Sequence, residues 1–287
     1  MYKNYFDLSH LDSVSAQVRS LRTSLRQKGY LAEQIFAMEA DLDSFKSKSD
    51  LPDELIMRFH EDKLREDYQT VFEKPNPLVT ICIGTYNRAE LLIKRAIPSI
   101  LGQTYKNIQL IVVGDCCTDD TEKQVAKIKD SRLQFINLKE RGKYPDESML
   151  RWMVAGTQSI NTALLMAEGN FISHLDDDDR HALHRIEVLL DYSRRNRIDL
   201  VWHPFWIEGH DYRWHLNSSP AFRKGSVSTS SIFYHSWFKR IPWDLNAYKY
   251  REPGDWNRLR KIRHIGASSG RYNEILLQHF RERNQTK

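Results

Sequence analysis

The sequence predicts an α/β fold, an open and mostly parallel sheet with flanking helices, preceded by an N-terminal helical extension. Three observations predict it. From residue 78 onward, short apolar runs alternate with segments of helical periodicity, as in chains of strand–helix–strand units. The apolar runs are nearly continuous, which is typical of strands covered on both faces. Residues 1–74 instead show helical spacings of three and four throughout.

The N-terminal extension contains three predicted helices. Leu11 to Leu25 and Leu31 to Phe45 carry apolar residues at alternating spacings of three and four, and a third helix begins near Pro52. The first two form a helical hairpin that packs on the main domain or pairs with a second copy in a homodimer. Two prolines in the segment 74–77 end this region, so we predict domains at 1–74 and 75–287.

Beyond residue 77 the predicted elements alternate regularly. An aromatic hairpin is expected between residues 202 and 215. The predicted strands are 78–83, 108–113, 133–136, 171–175, 199–202 and 227–234, and the predicted helices lie within 91–101, 118–128, 160–165, 182–192 and 257–264. This order implies right-handed crossovers and a mostly parallel sheet.

Composition sets limits on function and location. The net charge of +5 is too small to indicate nucleic-acid binding, and the basic excess is concentrated after residue 248. Three cysteines, two of them adjacent, provide neither a disulfide framework nor a zinc-binding spacing. With no signal peptide and no apolar run long enough to span a bilayer, we expect a cytoplasmic protein. Peripheral contact with the inner face of the membrane remains open.

Three polar clusters follow predicted strands: Thr85 to Arg88, Asp115, and the four carboxylates Asp176 to Asp179. Ligands of open α/β sheets bind outside the carboxyl ends of the strands, so these clusters are expected to share one site. Four neighbouring carboxylates repel one another and favour a divalent cation. Asp176 and Asp178 can reach one ion because alternate residues of an extended chain point the same way. A solvated acidic turn is the alternative for the run alone.

These motifs, taken in order, resemble those of family 2 glycosyltransferases of the GT-A fold, which use nucleotide sugars. The segments that carry the resemblance are 77–81, 85–88, 111–115, 118–121 and 175–179, within a similarity that covers about residues 77–270. Arg251 to Trp256 resembles the acidic motif that supplies the catalytic base. Gly114, Cys116 and Cys117 depart from the usual residues of the second loop. The Gln-x-x-Arg-Trp motif of processive members is missing from the C-terminal part, which argues for single-sugar transfer.

The resemblance implies an inverting, metal-dependent transferase that moves one sugar from a nucleotide-diphosphate sugar, most commonly a UDP-sugar, to a hydroxyl of a glycan, lipid or other acceptor. It implies that Asp255 is the catalytic base and that Mn²⁺ or Mg²⁺ is the cofactor. The implied metal ligands are Asp176, Asp178 and Asp179. The implied nucleotide-binding residues are Thr85, Tyr86, Asn87, Arg88, Asp115 and Asp177.

Several alternatives stay open at this stage. Asp255 could instead cap the helix that follows it. Arg141 and Lys143 lie in a loop that could reach phosphate or be solvated. His174 is expected to pack in the core, and an additional metal ligand from His235, His264 or His279 is less favoured than carboxylates and waters. A non-catalytic nucleotide-sugar or glycan binding protein of the same fold is the alternative function. A phosphatase or a nucleotidyltransferase fits the motifs less well.

Overall fold

The structure, a computed structural model, describes residues 32–209 and 211–281. The chain divides into two compact units, residues 1–53 and 54–287. In the first unit, helix α1 spans Ala32–Asp50 and confirms the second predicted helix, with Met38 and Phe45 about half exposed. The predicted helix from Leu11 to Leu25 lies outside the described residues. Among the described residues, no helix is both long enough and apolar enough to cross a lipid bilayer.

The second unit carries the sheets and their helices. Its strands are β1 (Val79–Thr85), β2 (Ile108–Gly114), β3 (Leu133–Asn137), β4 (Phe171–His174), β5 (Arg180–His181), β6 (Leu200–Trp202), β7 (Phe205–Glu208), β8 (Trp214–Asn217), β9 (Ile232–His235), β10 (Ser269–Arg271) and β11 (Leu277–His279). Its helices are α2 (Asp53–Lys63), α3 (Glu66–Gln69), α4 (Ala89–Leu91), α5 (Ile97–Leu101), α6 (Thr121–Val125), α7 (Ser148–Val154), α8 (Thr157–Met166), α9 (Arg185–Asn196) and α10 (Gly254–His264).

Seven strands of the described chain form the central sheet, in the order β10-β6-β9-β4-β1-β2-β3. Strand β9 runs antiparallel to both of its neighbours, and the other pairs in this sheet are parallel. The predicted α/β class with a mostly parallel sheet is therefore confirmed. A second sheet has the order β5-β11-β7-β8. The sequence predicted only its aromatic hairpin, which forms β7 and β8.

The apolar runs form the core because helices cover both faces of the central sheet. Every residue of β2 is buried, and in β1 the side chains of Ile81, Cys82 and Ile83 are fully buried. Gly169, just before β4, lies so close to β1 that a Cβ atom there would be 2.5 Å from the Thr80 amide nitrogen. This close approach brings β4 alongside β1, and thus brings the acidic run to the same edge as the Thr85 loop.

Helices α2 and α3 pack in the same unit as the sheet, although they belong to the N-terminal region predicted from the sequence. The carboxylate of Asp199, fully buried before β6, accepts hydrogen bonds from Lys63 Nζ at 2.7 Å and from the Tyr68 hydroxyl at 2.6 Å. Phe59 of α2 is also fully buried. The division into domains at residue 74 stays a prediction.

Two predicted elements differ in detail. The helix predicted within 91–101 is broken into α4, a π-helical segment Leu92–Ala96 and α5, and this wider turn accommodates Pro98, which cannot donate a backbone hydrogen bond. The strand predicted at 227–234 was too long. Thr229–Ser231 is a 3₁₀ turn, and β9 begins at Ile232.

Candidate active site

The carboxyl ends of β1, β2 and β4 meet at one edge of the central sheet. Thr85, the last residue of β1, pairs with Gly114, the last residue of β2, and Cys82 of β1 pairs with His174, the last residue of β4. The Asp115 amide continues this pattern by donating to the Thr85 carbonyl at 2.8 Å. The three polar clusters identified in the sequence therefore lie side by side.

Asp177 and Asp178 are held by groups from the β1 end of the sheet. The Thr85 hydroxyl donates to Asp177 Oδ2 at 2.7 Å, and Arg88 donates to Asp177 Oδ1 at 3.1 Å. Arg88 also donates to Asp178 Oδ2 at 2.8 Å, and Arg95 donates to the Asp178 carbonyl. Arg88 thus offsets part of the charge of these two buried carboxylates and fixes their direction.

Asp176 and Asp179 face a histidine from the second sheet. One ligand atom from each of Asp176, Asp179 and His279 lies within 4.8 Å of the others. Asp179, fully buried, accepts from His279 Nδ1 at 2.8 Å and from the Phe280 amide at 3.0 Å. The Asp176 amide donates to the Ser230 hydroxyl at 2.9 Å. These three side chains form the cation-site candidate of the described residues.

Burial and mutual repulsion dominate the electrostatics of this edge. Burial, followed by the charge of Asp179, raises the pKa of Asp176 well above its usual value. Burial and the neighbouring Asp177 and Asp179 raise the pKa of Asp178 to about 7, against the opposing effect of Arg88. Burial alone would lower the pKa of His279, but the carboxylates of Asp179, Asp176 and Asp178 outweigh it and raise that pKa to about 10. The charged forms of Asp176 and Asp178 are therefore less well stabilised here than they would be in water.

The residues present fit a divalent metal. Clustered carboxylate oxygens suit Mg²⁺ and Mn²⁺, and a cation would remove the repulsion that raises the carboxylate pKa values. The arrangement also differs from the sequence expectation, because Asp178 is turned toward Arg88 while His279 joins Asp176 and Asp179. The role of Asp178 as a metal ligand stays a prediction.

Asp115 is enclosed by the loop that precedes α7. Its carboxylate accepts from the Gly142 amide at 3.1 Å and from the Tyr144 hydroxyl at 2.7 Å, and Arg141 Nε lies 3.9 Å away. The Arg141 guanidinium also stacks over the Tyr86 ring, 3.6 Å from its centroid. This loop thus covers Asp115 and Tyr86, two of the predicted nucleotide-binding residues. From the sequence, the same loop was expected either to reach phosphate or to be solvated.

Asn87 connects two loops. Its backbone has a φ of +51°, a left-handed conformation that asparagine tolerates better than most residues. Its side-chain oxygen accepts from the amides of Thr118 and Asp119, at 2.8 and 3.3 Å. The contacts of Asn87 position the loop after β1 against the loop after β2, and its predicted contact with a nucleotide stays a prediction.

Asp255 lies in the first turn of α10, whose N-cap residue is Pro253. The alternative that Asp255 caps this helix is therefore wrong. Burial raises the pKa of Asp255, while the amides of Trp256 and Thr229 and the charges of His279 and Lys224 act in the opposite direction. The charge of His279 thus acts on Asp255 as well as on the carboxylates of the cation-site candidate. Glu252, the other carboxylate of the motif, is buried against Arg260 at 2.8 Å.

Sequence reasoning gave His279 little weight and did not consider Tyr144 or Arg185. His279 lies a hundred residues after Asp179 in the chain. It belongs to β11, whose short sequence contains no recognisable motif. His174 is confirmed as a packing residue, since its Nε2 atom lies 2.6 Å from the Tyr234 hydroxyl in the core. His235 is the last residue of β9. Because β9 runs antiparallel to β4, His235 lies at the opposite edge of the sheet, where it contacts Tyr68 and Trp237.

The fold and this edge of the sheet define a domain of the GT-A glycosyltransferase type. Residues 80–145 match the family model described as glycosyl transferase family 2. This segment contains β1, β2, β3 and part of the loop over Asp115, so this part of the chain is similar to that family.

Known proteins agree with this assignment. The chain is 34% identical over 131 residues to the UDP-Glc:alpha-D-GlcNAc-diphosphoundecaprenol beta-1,3-glucosyltransferase WfaP of Escherichia coli, a match that covers 46% of this chain and 47% of WfaP. The chain thus spans about half the length of this curated relative.

Two solved structures share the fold. Staphylococcus aureus TarS 1–349 in complex with UDP-GlcNAc aligns with a TM-score of 0.55 at 15% identity, covering 72% of this chain and 59% of TarS 1–349. The mannosyltransferase PcManGT of Pyrobaculum calidifontis, in complex with GDP-Man and Mn²⁺, aligns with a TM-score of 0.50 at 15% identity, covering 85% of this chain and 67% of PcManGT. At this identity the likeness concerns the fold alone.

Proposed function

We propose that this protein is an inverting, metal-dependent glycosyltransferase that moves one sugar from a nucleotide-diphosphate sugar to an acceptor hydroxyl. The observation that carries the proposal is the meeting of three groups at one edge of the sheet. These groups are the enclosed Asp115, the cluster of Asp176, Asp179 and His279, and the Asp255 carboxyl, on which the charge of His279 acts. A transferase of this kind needs a nucleotide pocket, a diphosphate site and a base together.

The donor would bind across the ends of β1 and β2. Asp115 would accept hydrogen bonds from a base or ribose in addition to those from Gly142 and Tyr144, and Tyr86, beneath Arg141, would offer a ring on which a base can stack. Thr85 and Arg88 would act through Asp177, which they hold in place. A uracil base is proposed because TarS, which shares the fold, is seen with UDP-GlcNAc.

The diphosphate would lie over Asp176, Asp179 and His279, which would hold Mn²⁺ or Mg²⁺, with Asp178 as a further candidate. When bound, such an ion neutralises the charge that builds up on the departing diphosphate. PcManGT, seen with GDP-Man and Mn²⁺, supports a metal of this kind in this fold. Arg88, held 2.8 Å from Asp178, limits the repulsion among the carboxylates at the same place.

Asp255 would take the proton of the acceptor hydroxyl as that oxygen attacks the anomeric carbon. Burial raises the pKa of its carboxyl, which brings the group closer to the range in which a carboxylate is an effective base. A single displacement with the base on the acceptor side and the diphosphate on the other inverts the anomeric configuration. The missing processive motif supports transfer of one sugar per encounter.

We further propose that the acceptor is a glycan or a lipid-linked glycan. The relative WfaP, whose name gives a diphosphoundecaprenol-linked sugar as acceptor, supports the lipid-linked form. Such an acceptor would require the protein to work in the cytoplasm at the inner face of a membrane, in peripheral contact with it. Homodimer formation through the N-terminal helices stays a prediction.

The proposal is tested by binding first and turnover second. A thermal-shift panel of UDP, UDP-GlcNAc and UDP-Glc with Mn²⁺ should raise the Tm, and the increase should disappear in Asp176→Asn. Donor hydrolysis or transfer should then fall by about 10²- to 10⁴-fold in Asp255→Asn, which keeps the Tm increase because its lost group acts on the acceptor. No Tm increase with any nucleotide sugar contradicts the proposal. A Tm increase without turnover in the wild type would indicate a non-catalytic binding protein.

A further inference from the structure

The turn Thr229–Ser231, in which Ser230 and Ser231 are buried, reaches both halves of the candidate site. The Ser230 hydroxyl accepts a hydrogen bond from the Asp176 amide at 2.9 Å. One residue earlier, the backbone amide of Thr229 faces the Asp255 carboxyl. The turn therefore contacts the start of the acidic run on one side and the candidate base on the other.

Two side chains, those of Arg185 and His181, hold this turn from the interior of the protein. Arg185 donates to the Ser230 carbonyl at 3.2 Å and to the Ile232 carbonyl at 2.9 Å, so it contacts both the turn and the first residue of β9. His181 Nε2 lies 2.8 Å from the same Ser230 carbonyl. Ser230, His181 and Arg185 are almost completely buried, so water does not compete for these bonds.

Arg185 reaches two further elements with its remaining hydrogen bonds. It donates to the Ser173 hydroxyl in β4 and to His203 Nε2 after β6, both at 2.8 Å. Within residues 32–209 and 211–281, none of its partners is a carboxylate. Removing a guanidinium from water without a counter-charge is costly, and these four bonds offset the cost only if their acceptors stay in place. Arg185 thus fixes β4, β6 and the turn relative to one another.

We propose that the turn Thr229–Ser231, held by Arg185, is the positioning element that sets the metal-binding carboxylates against the catalytic base. Ser230 and Arg185 are the positioning residues, and neither has to touch substrate. The inference rests on the proposed function for its catalytic meaning, while the positioning of Asp176 itself can be measured without any ligand. Partners behind metal-binding groups typically change metal affinity by about 10- to 100-fold when they are removed.

The test compares Ser230→Ala with two matched variants. Ser230→Thr keeps the hydroxyl and should restore wild-type behaviour. Ser193→Ala removes another fully buried serine hydroxyl, which donates to the Ile198 carbonyl in a different part of the fold, and serves as the control. Two quantities are measured: metal-free hydrogen–deuterium exchange in peptides spanning residues 171–180, and Mn²⁺ binding in the presence of UDP, followed by the electron paramagnetic resonance signal of free Mn²⁺.

In Ser230→Ala we expect faster exchange at Asp176 and a Kd for Mn²⁺ about tenfold higher, with Ser230→Thr and Ser193→Ala close to wild type. Unchanged exchange at residues 171–180 overturns the inference, as does an equal rise in the Mn²⁺ Kd in Ser193→Ala. A wild-type protein that binds neither UDP nor Mn²⁺ contradicts the proposed function instead, and the exchange result then still decides whether the turn positions Asp176. Arg185→Lys, which keeps the charge, should reproduce the Ser230→Ala exchange pattern if it folds.

Discussion

His279 Nδ1 lies 2.8 Å from the Oδ2 atom of Asp179, although the two residues are a hundred positions apart in the chain. This pair connects the second sheet to the acidic run of the central sheet. The next residue, Phe280, adds a backbone bond to the same carboxylate at 3.0 Å, and its ring stacks under the Arg95 guanidinium. Strand β11 thus determines where the Asp179 carboxylate lies.

Replacing His279 with glutamine should weaken metal binding. Glutamine can still donate to Asp179 but loses the imidazole that completes the cation-site candidate, so we expect the Kd for Mn²⁺ to rise by at least about tenfold. Titration calorimetry with Mn²⁺ and UDP measures the change. His215→Gln, in the exposed strand β8, is the control. Equal affinities in the His279 variant and the wild type would limit His279 to holding Asp179.

Replacing Asp115 with asparagine should weaken nucleotide binding. The exchange removes a charged acceptor that a base or ribose would use, and hydrogen bonds to charged groups are worth about 1.5–3 kcal/mol, so the Kd for UDP should rise by about tenfold or more. Fluorescence titration with UDP and Mn²⁺ measures it. Asp120→Asn, at an exposed residue whose carboxylate accepts from Gln124, is the control. Tyr144→Phe separates the loop contact from the ligand contact, because it keeps the Asp115 carboxylate.

Replacing Asp199 with asparagine should destabilise the protein without touching the site. Asp199 is fully buried and accepts from Lys63, Tyr68 and Ser268, so the variant leaves Lys63 without its counter-charge. We expect a loss of about 3 kcal/mol in the free energy of unfolding, measured by urea denaturation. Asp191→Asn breaks an exposed pair with Arg195 and should change little. Similar losses in the two variants would contradict a special role for the buried network.

The buried His235 should make the protein less stable as the pH is lowered from about 6.5 toward 4. Burial lowers the pKa of His235 from 6.5 to about 4, so in this window the unfolded chain binds a proton that the folded chain does not. Proton uptake then favours the unfolded state, by up to about 3 kcal/mol for this one group. Burial also lowers the pKa values of His174, His181 and His203, which adds to the same trend. The raised pKa values of Asp176 and Asp178 act against it, because these carboxyls take up protons more readily in the folded chain.

The His235 contribution is isolated with His235→Gln. Urea unfolding at pH 7 and pH 5 should show a smaller loss in this variant than in the wild type, and His215→Gln, on the exposed strand β8, serves as the control. If His235→Gln loses as much stability between the two pH values as the wild type, the other buried histidines account for the trend.

Much of the central sheet could be predicted from the sequence because its determinants are local. Apolar runs such as 108–113 specify buried strands by themselves, and the polar residues that follow them mark the functional edge. The direction of β9 could not be predicted. It depends on pairing with β4 and β6, which lie about sixty and thirty residues away in the chain. No local sequence pattern indicates whether such a distant pair is parallel or antiparallel.

The residues of the candidate site likewise fall into two groups, those that local motifs predict and those that only tertiary pairing brings to the site. The acidic run, Asp115 and Asp255 stand in motifs with recognisable spacing, whereas His279 and Ser230 stand in unremarkable segments and reach the site through tertiary pairing. Arg185 illustrates the limit well. An arginine at the start of an amphipathic helix is usually solvated, and its complete burial follows from acceptors on three other elements.

The placement of His279 also has a consequence for synthesis. Domains fold as units while the chain emerges from its N-terminus, and β1 to β4 can pair before the later strands exist. Until residues 279 and 280 are available, however, Asp179 lacks both its imidazole and its backbone partner. A nascent or truncated chain ending before β11 would carry the acidic run without the groups that orient it. The proposed metal-dependent chemistry would therefore be withheld until β11 is in place.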